Sequence, residues 1–173
     1  VKTIGAIGIG SNQGNRIALM EQAIQRLLDL WEQPSQRSSM FETEAWGMPQ
    51  GTPPFLNQVL LVHWEASPAP EKILKDLLDV EQGLGRTREA TSKTTYSSRT
   101  IDLDFLFLEG HRLQSEQLTL PHPRLTERRF VLEPLNELCP DLVFDASGMS
   151  TRDLLLSCKD ETLVRPYIAA SET

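Results

Sequence analysis

The segment Thr100-Ile101-Asp102-Leu103-Asp104-Phe105-Leu106-Phe107-Leu108 constrains the fold more than any other stretch of the chain. On an extended strand, residues two apart share a face. Ile101, Leu103, Phe105 and Phe107 therefore point one way, and Asp102, Asp104, Leu106 and Leu108 the other. Both faces of the later half are apolar, which predicts a central strand rather than an edge. The two carboxylates fall where that strand enters the core. At an effective dielectric of about 20, two such charges ~5 Å apart repel by roughly 3 kcal/mol before desolvation. Protonation of one acid, an arginine partner or a divalent cation would each offset the repulsion. Carboxylates without His or Cys favour a hard ion, and magnesium completes such a site with water and phosphate oxygens.

Positive charge gathers around the same strand. Residues 86–129 hold eight Lys or Arg against six acids, net +2, while the rest of the chain carries −9. Acids to hold an ion and guanidinium groups to neutralise phosphate oxygens are what a metal-polyphosphate ligand requires. Arg86 and Arg88 open a Thr- and Ser-rich stretch, Arg86–Ser98, expected to be an exposed, mobile loop able to swing in as a clamp. Glu81 borders the apolar stripe of the helix before it and wants a partner, either Arg86 or a ligand hydroxyl. The overall charge of −7 and pI near 5.0 argue against broad nucleic-acid or anionic-membrane binding. A carboxylate-metal nuclease is disfavoured on the same ground.

The remaining elements follow from periodicity. Val1–Ile9 reads as a first strand rather than a leader, with Ile7 and Ile9 on one face and Ile4, Ala6 and Gly8 on the other. Gly10–Asn15 is a turn whose Ser and Asn side chains can cap a helix. Apolar residues from Ile17 to Trp31 recur every three or four positions and mark that helix. Gln36–Thr43 and Phe55–Trp64 read as strands, separated by the Pro- and Gly-rich loop Glu44–Pro54. A second helix opens at Ser67-Pro68-Ala69-Pro70 and ends at Gly83 and Gly85. A helical stretch from Pro121 to about Leu138, then loop and a short helix, complete the chain. The order β-α-β-β-α-β predicts an α+β fold with a ferredoxin-like core: an antiparallel-rich sheet with helices packed on it and a C-terminal extension. The scattered His63, His111 and His122 and the lone Cys139 and Cys158 do not suit zinc, and the thiols fit a reducing cytoplasm. No apolar run approaches the ~18 residues of a membrane span, and neither GxGxxG nor a P-loop is present.

These residues together resemble the 6-hydroxymethyl-7,8-dihydropterin pyrophosphokinases, which move a pyrophosphoryl group from ATP to a pterin alcohol in folate biosynthesis. The resemblance runs from Ile7 to about Phe144. It is carried by Gly10-Ser11-Asn12, Thr43 with Gly47, Phe55-Leu56-Asn57, Glu81 with Gly85-Arg86-x-Arg88, Arg99-Thr100-Ile101-Asp102-Leu103-Asp104, and Pro121-His122 with Arg128 and Phe130. It implies one domain over residues 1–173, with Asp102 and Asp104 holding two Mg2+ ions that bridge the phosphates of ATP. It further implies that Arg86, Arg88, Arg99, His122 and Arg128 contact ATP and that Glu81 belongs to the nucleotide side. The pterin is implied to lie between Phe55 and Phe130, with Asn57 and the backbone near Thr43 reading its polar edge. Catalysis is expected from Arg86, Arg88, Arg99, Asp102 and Asp104, in a cytoplasmic monomer with no nucleic-acid or membrane partner.

Two departures from the family pattern stand out. Tyr96-Ser97-Ser98 replaces the usual Trp-Gly-Pro before Arg99, which leaves Tyr96 as the substitute ring. Ala45-Trp46 stands where a proline is common, and the Trp46 ring is expected to help cover the pterin. The rival from another class is a non-catalytic ferredoxin-like module that senses a metal nucleotide. It would keep Asp102 and Asp104 but has no need of Phe55, Asn57 and Phe130.

Overall fold

The computed structural model describes residues 2–45, 48–85 and 100–169. Its frame is the first strand, β1 (Thr3–Ser11), which lies between β4 (Phe55–Trp64) and β5 (Asp102–Leu108) and is antiparallel to both. The helix α1 (Arg16–Trp31) follows β1. Its N-cap is Asn15, whose side chain accepts from the Ala18 amide at 3.1 Å. Ser11 and Asn12 do not cap it. They are fully buried and hold neighbouring loops instead.

The chain returns as β2 (Ser35–Arg37) and β3 (Phe41–Thr43), both paired with β4, so the strand expected over Gln36–Thr43 is broken in two. At the break, the Ser38 hydroxyl accepts from the Val59 amide at 2.9 Å while the Ser38 amide donates to the Val59 carbonyl at 2.9 Å. The helix α2 (Pro70–Gly83), opened by Pro70, crosses back to β5. After the short β6 (Leu113–Gln114) and β7 (Thr119–Leu120) come a 3-10 turn (Leu125–Glu127), α3 (Arg129–Leu138), α4 (Thr151–Ser157) and β8 (Val164–Pro166). Only the second half of the helical stretch expected from Pro121 is α-helical. The short strand β8 is new relative to the sequence reading and extends the sheet beyond β3.

The sheet order β5-β1-β4-β3-β8 contains the 4-1-3-2 arrangement of a ferredoxin-like core, with each βαβ unit skipping one strand. That order corrects one expectation. Among the described residues β5 pairs with β1 alone and is the terminal strand, not a central one. It reads as central because both its faces are covered. α1 and α2 pack Met20, Ile24, Leu27, Ile73 and Leu77 against Ile7, Leu60, Ile101, Leu103 and Phe105 on one side. On the other, α3 and α4 pack Val131, Leu132, Leu135 and Leu154 against Ala6, Val59, Leu61, Leu106 and Phe107.

The phase of β5 is also corrected. A register shift between Ala6 and Ile7 puts Phe107 opposite Ala6 and Phe105 opposite Ile7. Leu106 and Phe107 therefore both face α3, while Leu108 joins the α1–α2 core. Phe107 then stacks on Phe144, with ring centroids 5.0 Å apart and planes 10° apart. No helix among the described residues is long and apolar enough to cross a membrane.

Candidate active site

The face of the sheet that carries α3 is covered over only half its length. Beyond Val59 and Leu106 the side chains on β1 shrink to Gly8 and Gly10, and a cleft of about 1230 Å³ opens over them. Register places Asp104 beside Gly8 and Asp102 beside Gly10 on one flank, and Asn57 beside Gly10 on the other. Directly paired residues share a face, so Asp102, Gly10 and Asn57 form one row across three strands. The glycine leaves the Asn57 amide room. A Cβ at Gly10 would lie 3.1 Å from the Asn57 Oδ1.

The amide of Asn57 is oriented from β3, because its Nδ2 donates to the Thr43 Oγ1 at 3.1 Å. Phe55, Thr43 and Phe130 line the same end of the cleft, and Phe130 enters it from the first turn of α3. Between Phe130 and the aspartates, Arg128 approaches Asp104 only at 3.9 Å, and its guanidinium lies 5.7 Å from the Phe130 ring centroid. The Arg128 Nε is buried without a hydrogen-bond partner among the described residues. A cation with an unused donor beside a carboxylate it scarcely reaches is suited to an anionic third group.

His122 is fixed beside the aspartates by its backbone, whose amide donates to the Leu106 carbonyl at 2.7 Å. The ring Nδ1 accepts from the Arg124 amide at 3.2 Å. Burial lowers its pKa below the ordinary value, the positive charge of Arg128 adds to that, and Asp102 opposes it. A neutral imidazole with its Nε2–H available as a donor is the consequence.

Glu81 stands apart from the cleft. It is 2% exposed, on the α2 side of the sheet, and its Oε1 accepts from the Leu103 amide at 2.7 Å. Leu103 lies between the two aspartates, so this contact holds the backbone that presents them.

The turn after β1 ties the flanking loops together. The Ser11 hydroxyl donates to the Thr100 carbonyl, the Asn12 Nδ2 to the Pro53 carbonyl at 3.4 Å and the Arg16 Nη1 to the Pro54 carbonyl at 2.8 Å. The part played by Arg16 escaped sequence reasoning, as did the wall formed by Lys159–Leu163; neither leaves a pattern in its own stretch of sequence. Trp46, Arg86, Arg88, Tyr96 and Arg99 lie outside the described residues, as does the loop expected over Arg86–Ser98.

Two carboxylates on one strand face, opposite glycines and without imidazole or thiolate between them, form an oxygen donor set for a hard divalent ion. Among the described residues no cluster of three His, Cys, Asp or Glu side chains could hold a metal. An ion here would complete its shell from water and ligand oxygens.

Residues 6–140 match the model of the 7,8-dihydro-6-hydroxymethylpterin-pyrophosphokinase family. The chain belongs to this family. It is 35% identical over 152 residues to the 2-amino-4-hydroxy-6-hydroxymethyldihydropteridine pyrophosphokinase of Bacillus subtilis, covering 87% of each. It is also 35% identical to the enzyme of the same name from Methylorubrum extorquens, covering 86% of this chain and 89% of that one. The chain spans 32% of the folate synthesis bifunctional protein of Chlamydia caviae, at 33% identity. Among solved structures, the Plasmodium falciparum HPPK-DHPS crystallised with pteroate superposes with a TM-score of 0.65 at 13% identity, over 90% of this chain and 42% of that one. At that identity the likeness speaks for the fold of the pyrophosphokinase domain alone.

Proposed function

We propose that this pyrophosphokinase uses the cleft to join two substrates across Gly10, ATP on the aspartate side and 6-hydroxymethyl-7,8-dihydropterin on the Asn57 side. The carrying observation is the row Asp102–Gly10–Asn57 itself. It sets a pair of acids and an amide on the same face of adjoining strands, with nothing bulkier than hydrogen between them. On this reading the hydroxymethyl oxygen attacks the β-phosphorus of ATP in line. A bond from that oxygen to phosphorus forms, the bond from β-phosphorus to the bridging oxygen breaks, AMP departs and the hydroxyl proton is lost to solvent.

Asp102 and Asp104 would hold the magnesium that accompanies ATP, with two ions expected. When bound, magnesium supplies charge neutralisation on the phosphates and lowers the pKa of the attacking alcohol. Arg128 and the neutral His122 donate to phosphate oxygens, and Arg86, Arg88 and Arg99 complete the clamp. Glu81 serves the nucleotide side through its hold on Leu103. Phe55 and Phe130 wall the flat ring, Asn57 and the Thr43 backbone read its edge, and Trp46 covers it. Catalysis is then mainly positioning and electrostatic stabilisation. On this reading the enzyme is cytoplasmic and acts as a monomer.

The test is AMP release from ATP and the pterin alcohol, with and without magnesium. Release that needs both supports the reading. Binding of ATP with neither pterin binding nor AMP release would favour the nucleotide sensor.

A further inference from the structure

Lys159–Leu163 contribute one wall of the cleft. This segment lies beyond residues 6–140, over which the family pattern runs. It is tied down at both ends, and both ties land on elements that the reading above gives to the pterin.

At the first end, the Asp160 Oδ2 accepts from the Arg129 amide at 3.0 Å, and the Asp160 carbonyl accepts from the Arg129 Nε at 2.8 Å. Arg129 is the first residue of α3, and its N-cap position, Arg128, provides no side-chain cap. A helix leaves its first amides unsatisfied, and a carboxylate there is favoured by both hydrogen bonding and the helix dipole. Asp160 thus caps α3 from 31 residues further along the chain. Its other oxygen accepts from the Thr162 amide at 3.0 Å, which folds the segment on itself. Burial alone would raise its pKa, but the Thr162 side chain and amide, the Arg129 amide and the Arg129 charge together hold it low. At the second end, Val164 opens β8 and pairs with Thr43 on β3. The segment therefore bridges from the turn that carries Phe130 to the strand that carries Thr43.

We infer that Lys159–Leu163 is a strap that sets the width of the pterin end of the cleft, and that Asp160 is the positioning residue that latches it to α3. The inference rests on the assignment of Phe130 and Thr43 to the pterin. Arg128, next to Arg129 in the chain, also has Asp104 on β5 at 3.9 Å as a contact outside the latch, so the nucleotide end should feel the latch less than the pterin end. Pre-organised walls lower the cost of ordering a rigid planar ligand, and loss of one cap is expected to raise the KM for the pterin about fivefold.

The experiment compares Asp160→Ala and Asp160→Asn with wild type, measuring both substrate KM values, kcat, and amide exchange in residues 129–132. Asp153→Ala is the control, because it removes the capping box of α4 away from the cleft. The strap predicts that Asp160→Ala raises the pterin KM about fivefold, leaves the ATP KM within about twofold and speeds exchange at the start of α3. Asp160→Asn, which keeps one acceptor, should recover part of the change. A merely structural role would lower kcat through loss of active protein, leave both KM values alone and look like Asp153→Ala. That result, or unchanged exchange at Arg129, would overturn the latch. If wild type releases no AMP, the assignment of activity fails, and the latch is then judged by amide exchange and by equilibrium binding of the pterin alcohol.

Discussion

The α3 face of the sheet has two halves built from the same three strands. In one, Ala6, Val59, Leu61, Leu106 and Phe107 are at most 2% exposed beneath α3 and α4. In the other, two residues along each strand, stand Gly8, Gly10, Asn57, Asp102 and Asp104, and the face opens into the cleft. β1 and β4 keep one register from one half to the other and β5 shifts by a single residue at the boundary, so the change from packed to open lies mainly in the side chains. Apolar groups on the first half gain by drawing a helix down. On the second half a pair of carboxylates, an amide and two glycines give a helix nothing to pack against. The packed half stabilises the molecule and the open half leaves room for charge, so substitutions in the two should separate turnover from stability.

The largest expected effect is in the open half. Asp102→Ala or Asp104→Ala should lower AMP release by about three orders of magnitude, with the melting temperature nearly unchanged. Near-normal turnover in both variants would remove the mechanism. Leu132→Ala in the packed half should do the reverse. It costs about 3 kcal/mol of stability in denaturant unfolding, while KM for both substrates stays at the wild-type value in the folded fraction.

Gly10→Ala sharpens the boundary between the halves, because the added methyl would press on the Asn57 Oδ1. The pterin KM should rise about tenfold and stability should change little. An unchanged pterin KM would mean that Asn57 does not read the ring.

The smallest effect concerns pH. The folded pKa of His122 is depressed, so its contribution to stability is complete above about pH 6.5 and is lost as pH falls through the folded value. His122→Gln should flatten that acid limb of the stability profile, and an NMR titration of the ring should place its midpoint below 6.5. A midpoint above the ordinary value would mean that Asp102, not burial and Arg128, governs the ring.

The opposite face of the sheet, under α1 and α2, was legible in the sequence because it follows local periodicity. The α1 stripe and the Pro-opened α2 depend only on neighbours in the chain. The edge position of β5 was not legible. A strand covered on both faces reads as apolar throughout, whether one of its edges is paired or both. The reversed phase of Phe107 was hidden for a related reason, since the register shift at Ala6 and Ile7 belongs to the pairing of two strands rather than to either one.

In the open half, Asp102, Asp104, Asn57, Phe55, Phe130 and Thr43 were marked from sequence, and the fold gathers them around one cleft. What sequence could not supply was which groups hold them there. Glu81 reaches the Leu103 amide across 22 residues, Arg16 reaches Pro54 across 38, and Asp160 reaches Arg129 across 31. A polar side chain whose partner is a distant backbone group leaves no trace in spacing or composition.

The central claim is that Asp102 and Asp104 are tolerated side by side because a divalent ion and phosphate oxygens complete their site. The most direct measurement is equilibrium binding of a non-hydrolysable ATP analogue, titrated with magnesium, to wild type and to Asp102→Asn with Asp104→Asn. Wild-type affinity should climb with magnesium while that of the double variant stays flat and weak. Equal magnesium dependence in the two proteins would contradict the account.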